Sequence, residues 1–245
     1  MAADQTEGGK RSARSDLGVR LLSAIVMIAI AGTALVLGGW PFRIFVLLVA
    51  AGLIFEIAGL VRRFDVPESR KALWMAGGIL YVGTACASLI AMPGMARWLI
   101  VLMVIATDTG AYFAGRRFGG RKIAPSISPS KTWAGLYGGM AGAALVMTGA
   151  LFLVVSALSA WSADGQSAIA LIAHRPLALV IAIAIGCAVA VLAQAGDFLE
   201  SWMKRRAGVK DSGALIPGHG GLFDRVDGLL PVAIATGLML WMRVA

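Results

Sequence analysis

Apolar residues run through this chain in long unbroken stretches, and the polar positions gather between them. The stretches fall at Gly18–Leu37, Phe42–Leu60, Ala72–Met92, Ala96–Gly115, Thr132–Ser159, Pro176–Leu199 and Val226–Met242. A helix rises about 1.5 Å per residue, so roughly 20 apolar residues cross the ~30 Å hydrocarbon core of a bilayer. The pattern therefore predicts an all-α, polytopic integral membrane protein with about seven transmembrane helices and room for more. The sixth helix is expected to run on to about Arg206. Gly38-Gly39-Trp40-Pro41 and Met92-Pro93-Gly94 punctuate the early stretches as turns. Residues 1–17 are polar and aperiodic, which predicts a disordered tail. The first apolar stretch is too long for a signal peptide and has no small-residue cleavage site behind it, so a retained helix is expected. The organisation read from this pattern is a tail (1–17), N-terminal transmembrane helices (18–95) and a catalytic transmembrane region with motif-bearing loops (96–245).

Composition strengthens the membrane reading. Charged residues make up 14% of the chain and hydrophobic residues 59%. A water-soluble domain carries about 25% charged residues, too many for this chain to match. Cys86 and Cys187 both lie in apolar stretches and read as small core residues, not as a disulfide or metal pair.

Charge adds an orientation. With the N-terminus in the cytoplasm, only Arg43, Arg97, Arg175 and Arg243 of the 22 basic residues fall on the outer side. Lysine and arginine collect in cytoplasmic loops, so this asymmetry predicts a cytoplasmic N-terminus and cytoplasmic motif loops. The net charge of +9 suits anionic lipid heads and nucleotides. No aromatic-rich basic module points to nucleic acid. No internal repeat supports an inverted-repeat transporter.

Four carboxylates lie within or at the edge of the predicted spans: Glu56, Asp108, Asp197 and Glu200. A charge at membrane depth costs at least about 2.5–3.5 kcal/mol, so each must face a cavity or a partner. Glu56 is expected either to pair with Arg62 or Arg63, or to serve function. Asp108 and Asp197 each open a dense polar motif, which favours function.

The densest motif runs from Gly196-Asp197 through Ser201 and Lys204-Arg205 to Lys210-Asp211. It continues as Pro217-Gly218-His219-Gly220-Gly221 and then Asp224-Arg225-Val226-Asp227. Asp197, Asp211, Asp224 and Asp227 are oxygen ligands suited to a hard cation such as Mg²⁺. Asp224 and Asp227, three apart, are expected to share one face at the start of a helix. Lys204, Arg205, Lys210 and Arg225 suit phosphate oxygens. The glycine run lets backbone approach a phosphate and can aim amide N–H groups at it. His219 reads as a phosphate donor in preference to a general base. His174 reads as a loop residue without function. Carboxylates, cations and a glycine turn together are the equipment of phosphoryl or nucleotidyl transfer.

This motif resembles the signature of the phosphatidate cytidylyltransferases, the CDP-diacylglycerol synthases. The family pattern is Ser, two residues, Lys-Arg, four residues, Lys-Asp, a short link, Pro-x-His-Gly-Gly, an apolar residue, any residue, and Asp-Arg-x-Asp. It is met at Ser201, Lys204, Arg205, Lys210, Asp211, Pro217, His219, Gly220, Gly221, Asp224, Arg225 and Asp227. A second stretch is similar too. Asp108-Thr109-Gly110-Ala111-Tyr112 leads to Ser128-Pro129-Ser130-Lys131-Thr132, where the next helix begins and its N-terminal dipole favours phosphate. The resemblance covers residues 100–245; the first 95 residues match only as hydrophobic helices.

The resemblance implies a Mg²⁺-dependent reaction of CTP with phosphatidate, giving CDP-diacylglycerol and pyrophosphate in phospholipid biosynthesis. It implies Asp197 and Asp224 as principal metal ligands, supported by Asp227 and Asp211, with a second cation allowed. Lys204, Arg205, Lys210 and Arg225, with His219, would hold phosphates. Asp108, Lys131, Thr132, Ser201, Gly220 and Gly221 would serve substrate binding. The expected partners are CTP, phosphatidic acid and membrane lipid, with a homodimer left open. The expected location is a bacterial-type inner membrane, the site facing the cytoplasm. A CTP-dependent lipid kinase and a non-enzymatic transporter are the alternatives.

Overall fold

A computed structural model describes residues 4–161, 169, 172 and 174–242, with side chains from Gly18 onward, Trp161 excepted. Of the expected tail, residues 1–3 lie outside the described residues, as do the side chains of residues 4–17. Arg243, the last of the expected outer-side arginines, lies outside them too.

The chain is all-α. The described helices are α1 (Asp4–Leu37), α2 (Gly39–Arg62), α3 (Glu68–Ala91), α4 (Gly94–Phe118), α5 (Trp133–Trp161), α6 (Pro176–Arg206), α7 (Phe223–Val226) and α8 (Leu229–Trp241). Two isolated β-bridges, Lys122 with Thr132 and Ile216 with Gly220, are the only extended pairings among the described residues. Six helices, of 20 to 31 residues, are long and apolar enough to cross a membrane. Their outward faces carry large apolar side chains. Ile28, Leu80 and Leu145, for instance, are each about 70% exposed (72%, 68% and 74%). Water would penalise such a surface heavily, and lipid does not. This is a multi-pass membrane protein.

The helix ends follow the sequence. Gly38 and Gly39 take positive φ between α1 and α2, and Gly119 does so at the end of α4. Pro93 stands immediately before α4, where its missing N–H costs nothing. The helix expected over Val226–Met242 differs. α7 is one turn, Asp227 and Gly228 form a turn, and α8 has only 13 residues. Pro231 explains the break. A continuous helix through Asp227 would drive its ring into the Asp227 carbonyl.

The chain divides into two compact units. One comprises residues 1–90 and 203–226, the other residues 91–202 and 227–245. In the first, Leu53, Ile57, Leu60, Val61 and Phe64 of α2 and its end are buried, with Val82 of α3 and Phe223 of α7. Gly78 lets α3 close on Ile57, and Gly52 leaves room for Leu222. Phe64 stacks edge-on against Trp74 at 6.0 Å, with the Arg206 guanidinium 5.7 Å from its ring.

The second unit is organised by a glycine seam between α4 and α5. A Cβ on Gly138 would overlap Ala114 and the Gly110 carbonyl, and one on Gly142 would overlap the Ala106 carbonyl. Small residues at this spacing let membrane helices meet backbone to backbone, where dispersion and weak hydrogen bonds replace the missing hydrophobic drive. Gly138→Leu should therefore cost at or above the ~3 kcal/mol upper end of ordinary overpacking. Gly149→Leu, on the same helix but facing open space, should be nearly neutral. Thermal unfolding of both variants in detergent checks the pair. Equal stability would contradict the seam.

Candidate functional site

Two polar clusters arise, one in each unit. In the second unit the cluster starts from the loop between α4 and α5. Gly119 and Gly120, both at positive φ, turn the chain out of α4. The Ile123 amide then bonds the Lys131 carbonyl at 3.1 Å, and the Trp133 amide bonds the Arg121 carbonyl at 3.1 Å. Ser128 is buried. Thr132, also buried, accepts the Gly135 amide on its hydroxyl at 3.0 Å and so caps α5. Its hydroxyl is thus engaged in starting the helix.

This loop delivers Lys131 to α6. The Lys131 ammonium is ion-paired and hydrogen-bonded with the Asp197 carboxylate, and it lies 4.9 Å from the Phe198 ring. Asp227, in the turn before α8, joins the same cluster. Burial, and next the Asp197 carboxylate, push the Asp227 carboxyl well above the usual range, against the pull of the Gly228 amide that it accepts at 2.9 Å. The approach depends on glycine. A Cβ on Gly196 would overlap the Asp227 carbonyl and crowd the Pro231 ring. Asp108 on α4 is exposed, accepts no hydrogen bond from the described residues, and feels the charges of Asp197 and Lys131. An exposed carboxylate on a membrane helix needs a polar cavity, a cation or a ligand. Among the described residues Ser201 hydrogen-bonds with its side chain only to Glu200, at 3.5 Å.

In the first unit the cluster is built on Glu56 and Asp224. Glu56, buried in α2, accepts the Leu222 and Phe223 amides at 2.8 Å each, with the Ser212 hydroxyl at 3.1 Å. It does not pair with Arg62 or Arg63, one of the two roles expected for it; it caps α7. Asp224 accepts Lys204 at 2.6 Å on one oxygen. On the other it gathers the Ser212 amide, the Ser212 hydroxyl and the Gly221 amide at 3.1, 3.0 and 2.9 Å.

The glycine turn is tight. Gly218 and Gly220 take positive φ, and Ile216 and Gly220 bridge across it. The amides of Gly221, Leu222 and Phe223 point at the two carboxylates, so a phosphate is not their partner here. His219 Nδ1 lies 2.8 Å from the Ser23 hydroxyl of α1, and Arg225 donates to the His219 carbonyl at 2.5 Å. Lys210 and Asp211 are exposed, as is Arg205. Asp224 lies in α7 and Asp227 in the turn beyond it, so they do not start one helix together.

A Mg²⁺ ion demands little of the protein itself. It keeps several waters and uses one or two carboxylates plus substrate phosphates. Among the described residues no three His, Cys, Asp or Glu side chains form a ready cage. The Asp197–Asp227 pair nevertheless fits: the two carboxylates crowd each other, Lys131 pairs with Asp197, and a cation would relieve their repulsion. Asp224 fits less well, because four donors already surround it. Asp211 offers an exposed carboxylate beside Gly220.

Sequence reasoning missed the roles of Ser23 and Ser212 and left that of Glu56 undecided. The signal for Glu56 was its position, an acid in an otherwise apolar helix.

A model of the cytidylyltransferase family matches residues 94–243, from the first residue of α4. A Brucella melitensis protein named phosphatidate cytidylyltransferase is 40% identical over 166 residues, 65% of this chain and 54% of that protein. The chain thus spans about half the length of the Brucella relatives it matches. A Rickettsia felis protein of the same name is 30% identical over 235 residues, 93% of this chain and 95% of that protein. A Haemophilus influenzae protein, again so named, is 41% identical over 131 residues, 53% of this chain and 40% of that protein.

Proposed function

The chain belongs to the cytidylyltransferase family, and on that premise we propose that it joins CTP to phosphatidate, forming CDP-diacylglycerol and releasing pyrophosphate. One oxygen of the lipid phosphate forms a bond to the α-phosphorus of CTP. The bond from that phosphorus to the oxygen bridging to the β-phosphate breaks, and the pair leaves with pyrophosphate. No general base is required. The second pKa of a phosphate monoester is about 6, so the attacking oxygen already carries its charge near neutral pH. Positioning and charge neutralisation then supply most of the rate.

The observation that carries this reading is the meeting of two sequence motifs in one unit. Asp108 and Lys131 come from one, Asp197 and Asp227 from the other. Asp197 and Asp227, with Asp108 near, would hold Mg²⁺, which when bound neutralises phosphate charge. Lys131 would exchange Asp197 for a substrate phosphate. Within the first unit, Lys204, Arg205, Lys210 and Arg225, with His219, would serve as phosphate-binding groups, and Asp211 and Asp224 would support them. Thr132 and Ser201 would shape the substrate surroundings in the second unit, and Gly220 and Gly221 would hold the glycine turn of the first. A homodimer is compatible with the reading, which draws all its side chains from one chain.

The direct test is purified, reconstituted protein with CTP, phosphatidate and Mg²⁺. CDP-diacylglycerol and pyrophosphate should appear in equal amounts, and neither should appear when one substrate is omitted. Absence of both from a folded preparation would reject the reading.

The reading also requires the residue 203–225 segment to face cytosolic CTP on the cytoplasmic side of a bacterial inner membrane. A cysteine replacing the exposed Ala214, in a background lacking Cys86 and Cys187, should react with impermeant reagents only from the cytoplasmic side. Labelling from the periplasm would overturn the orientation.

A further inference from the structure

Within the first unit, a cavity of about 730 Å³ opens between the C-terminal end of α2 and the segment after α6. Its volume lies in the roughly 300–1,000 Å³ range of small-molecule sites. Phe55 and Leu215 supply an apolar side, and Arg62, Arg63 and Lys210 a cationic one. Glu56 and Asp211 are the acids in its lining. Glu56 is engaged by the Leu222 and Phe223 amides, and no carboxylate among the described residues pairs with Arg62, Arg63 or Lys210. Arg62 ends the α2 span and Arg63 follows it, and the end of a span is where a lipid headgroup is expected. Below them, Phe55 and Leu48 are 69% and 68% exposed on the same helix. The combination is amphipathic: unpaired guanidinium groups suited to a phosphate stand above an apolar face suited to acyl chains.

We propose that this cavity is the docking site of a phosphate-bearing acyl lipid, with Arg62 and Arg63 as headgroup-positioning side chains and α2 as the rail for its chains. Resting on the function proposed above, that lipid is the phosphatidate substrate. The α2 side of the site, with Arg62 and Arg63, lies outside the segment that the family model matches, and the Val209–Leu215 side lies within it.

Two variants test it by different means. Arg62→Gln/Arg63→Gln removes the charges. Gly59→Leu fills the cavity from a lining position where an added side chain meets open space, so the fold should tolerate it. Both should raise the apparent KM for phosphatidate in mixed micelles at least about fivefold, with the KM for CTP and kcat within about twofold. Arg62→Lys/Arg63→Lys should restore most of the loss. An unchanged phosphatidate KM in both variants overturns the proposal, as does a matching rise for CTP.

Photoreactive phosphatidate in nanodiscs gives a readout independent of turnover. Wild-type protein should be labelled in peptides covering residues 55–63 or 209–215, and excess glycerol 3-phosphate should not compete. Competition by the soluble ester would make this a free-phosphate site and overturn the lipid assignment. Labelling without any CDP-diacylglycerol synthesis would uphold the site while rejecting the function. Synthesis without labelling there would do the reverse.

Discussion

Replacing Asp197 by Asn should lower turnover by at least about a hundredfold, the upper end of losses seen when even an outer-shell partner of a metal is removed. The two side chains are nearly equal in volume, so packing along α6 changes little. What changes is charge. Lys131 loses its ion-pair partner, and the Asp197–Asp227 pair loses half of the carboxylate set that fits a divalent cation. The backbone contact of Gly196 with Asp227 is independent of the side chain and persists. The variant should therefore insert, purify and unfold at nearly the wild-type temperature. Turnover at limiting Mg²⁺ should suffer most. Near-normal turnover under that condition would remove Asp197 from the metal site.

Glu56→Ala is expected to act through the fold. Its carboxylate is the acceptor for two backbone amides and one hydroxyl, all in the segment that carries Lys210, His219 and Asp224. Alanine leaves the Leu222 and Phe223 amides without that acceptor, while the Ser212 hydroxyl keeps Asp224. Each stranded donor costs about 1–3 kcal/mol, so the total loss should be on the order of 3 kcal/mol or more. The residue 207–222 segment should become sensitive to protease, and turnover should fall with it. Glu56→Gln keeps one acceptor oxygen but brings an amide N–H₂ toward the same donors, so an intermediate loss is expected. Thermal unfolding, limited proteolysis and turnover measured on one preparation separate the cases. Wild-type stability in Glu56→Ala would show that the loop is held elsewhere.

The contrast between these two residues explains what the sequence made legible. The long helices were readable because lipid imposes one rule, an unbroken apolar length, on every span. α2 through α6 lie within a few residues of their expected positions. The last helix was misplaced because hydropathy is blind to the Pro231 ring, which cannot follow a helical Asp227. Asp108 and Asp197 stood out as charges at membrane depth, and the structure brings them together with Lys131.

Glu56 was visible as an anomaly, but its partner was not. Ser212 lies 156 residues away in the chain, and Phe223 lies 167. The natural local guess was an arginine two turns on. The glycine turn was read as a phosphate cradle from its flexibility. Which acceptor its amides meet depends on α2, which no spacing within the motif encodes. Thr132 shows the same limit on a smaller scale, since a hydroxyl in a phosphate-binding pattern also caps a helix.

Cytidylyl transfer is most directly tested by the fate of labelled CTP. Purified protein should be incubated with phosphatidate, Mg²⁺ and CTP labelled at either the α- or the γ-phosphate. The account predicts that α-label enters the lipid and that γ-label leaves entirely as pyrophosphate. Entry of γ-label into the lipid, with α-label remaining in CDP, would identify a lipid kinase and contradict it.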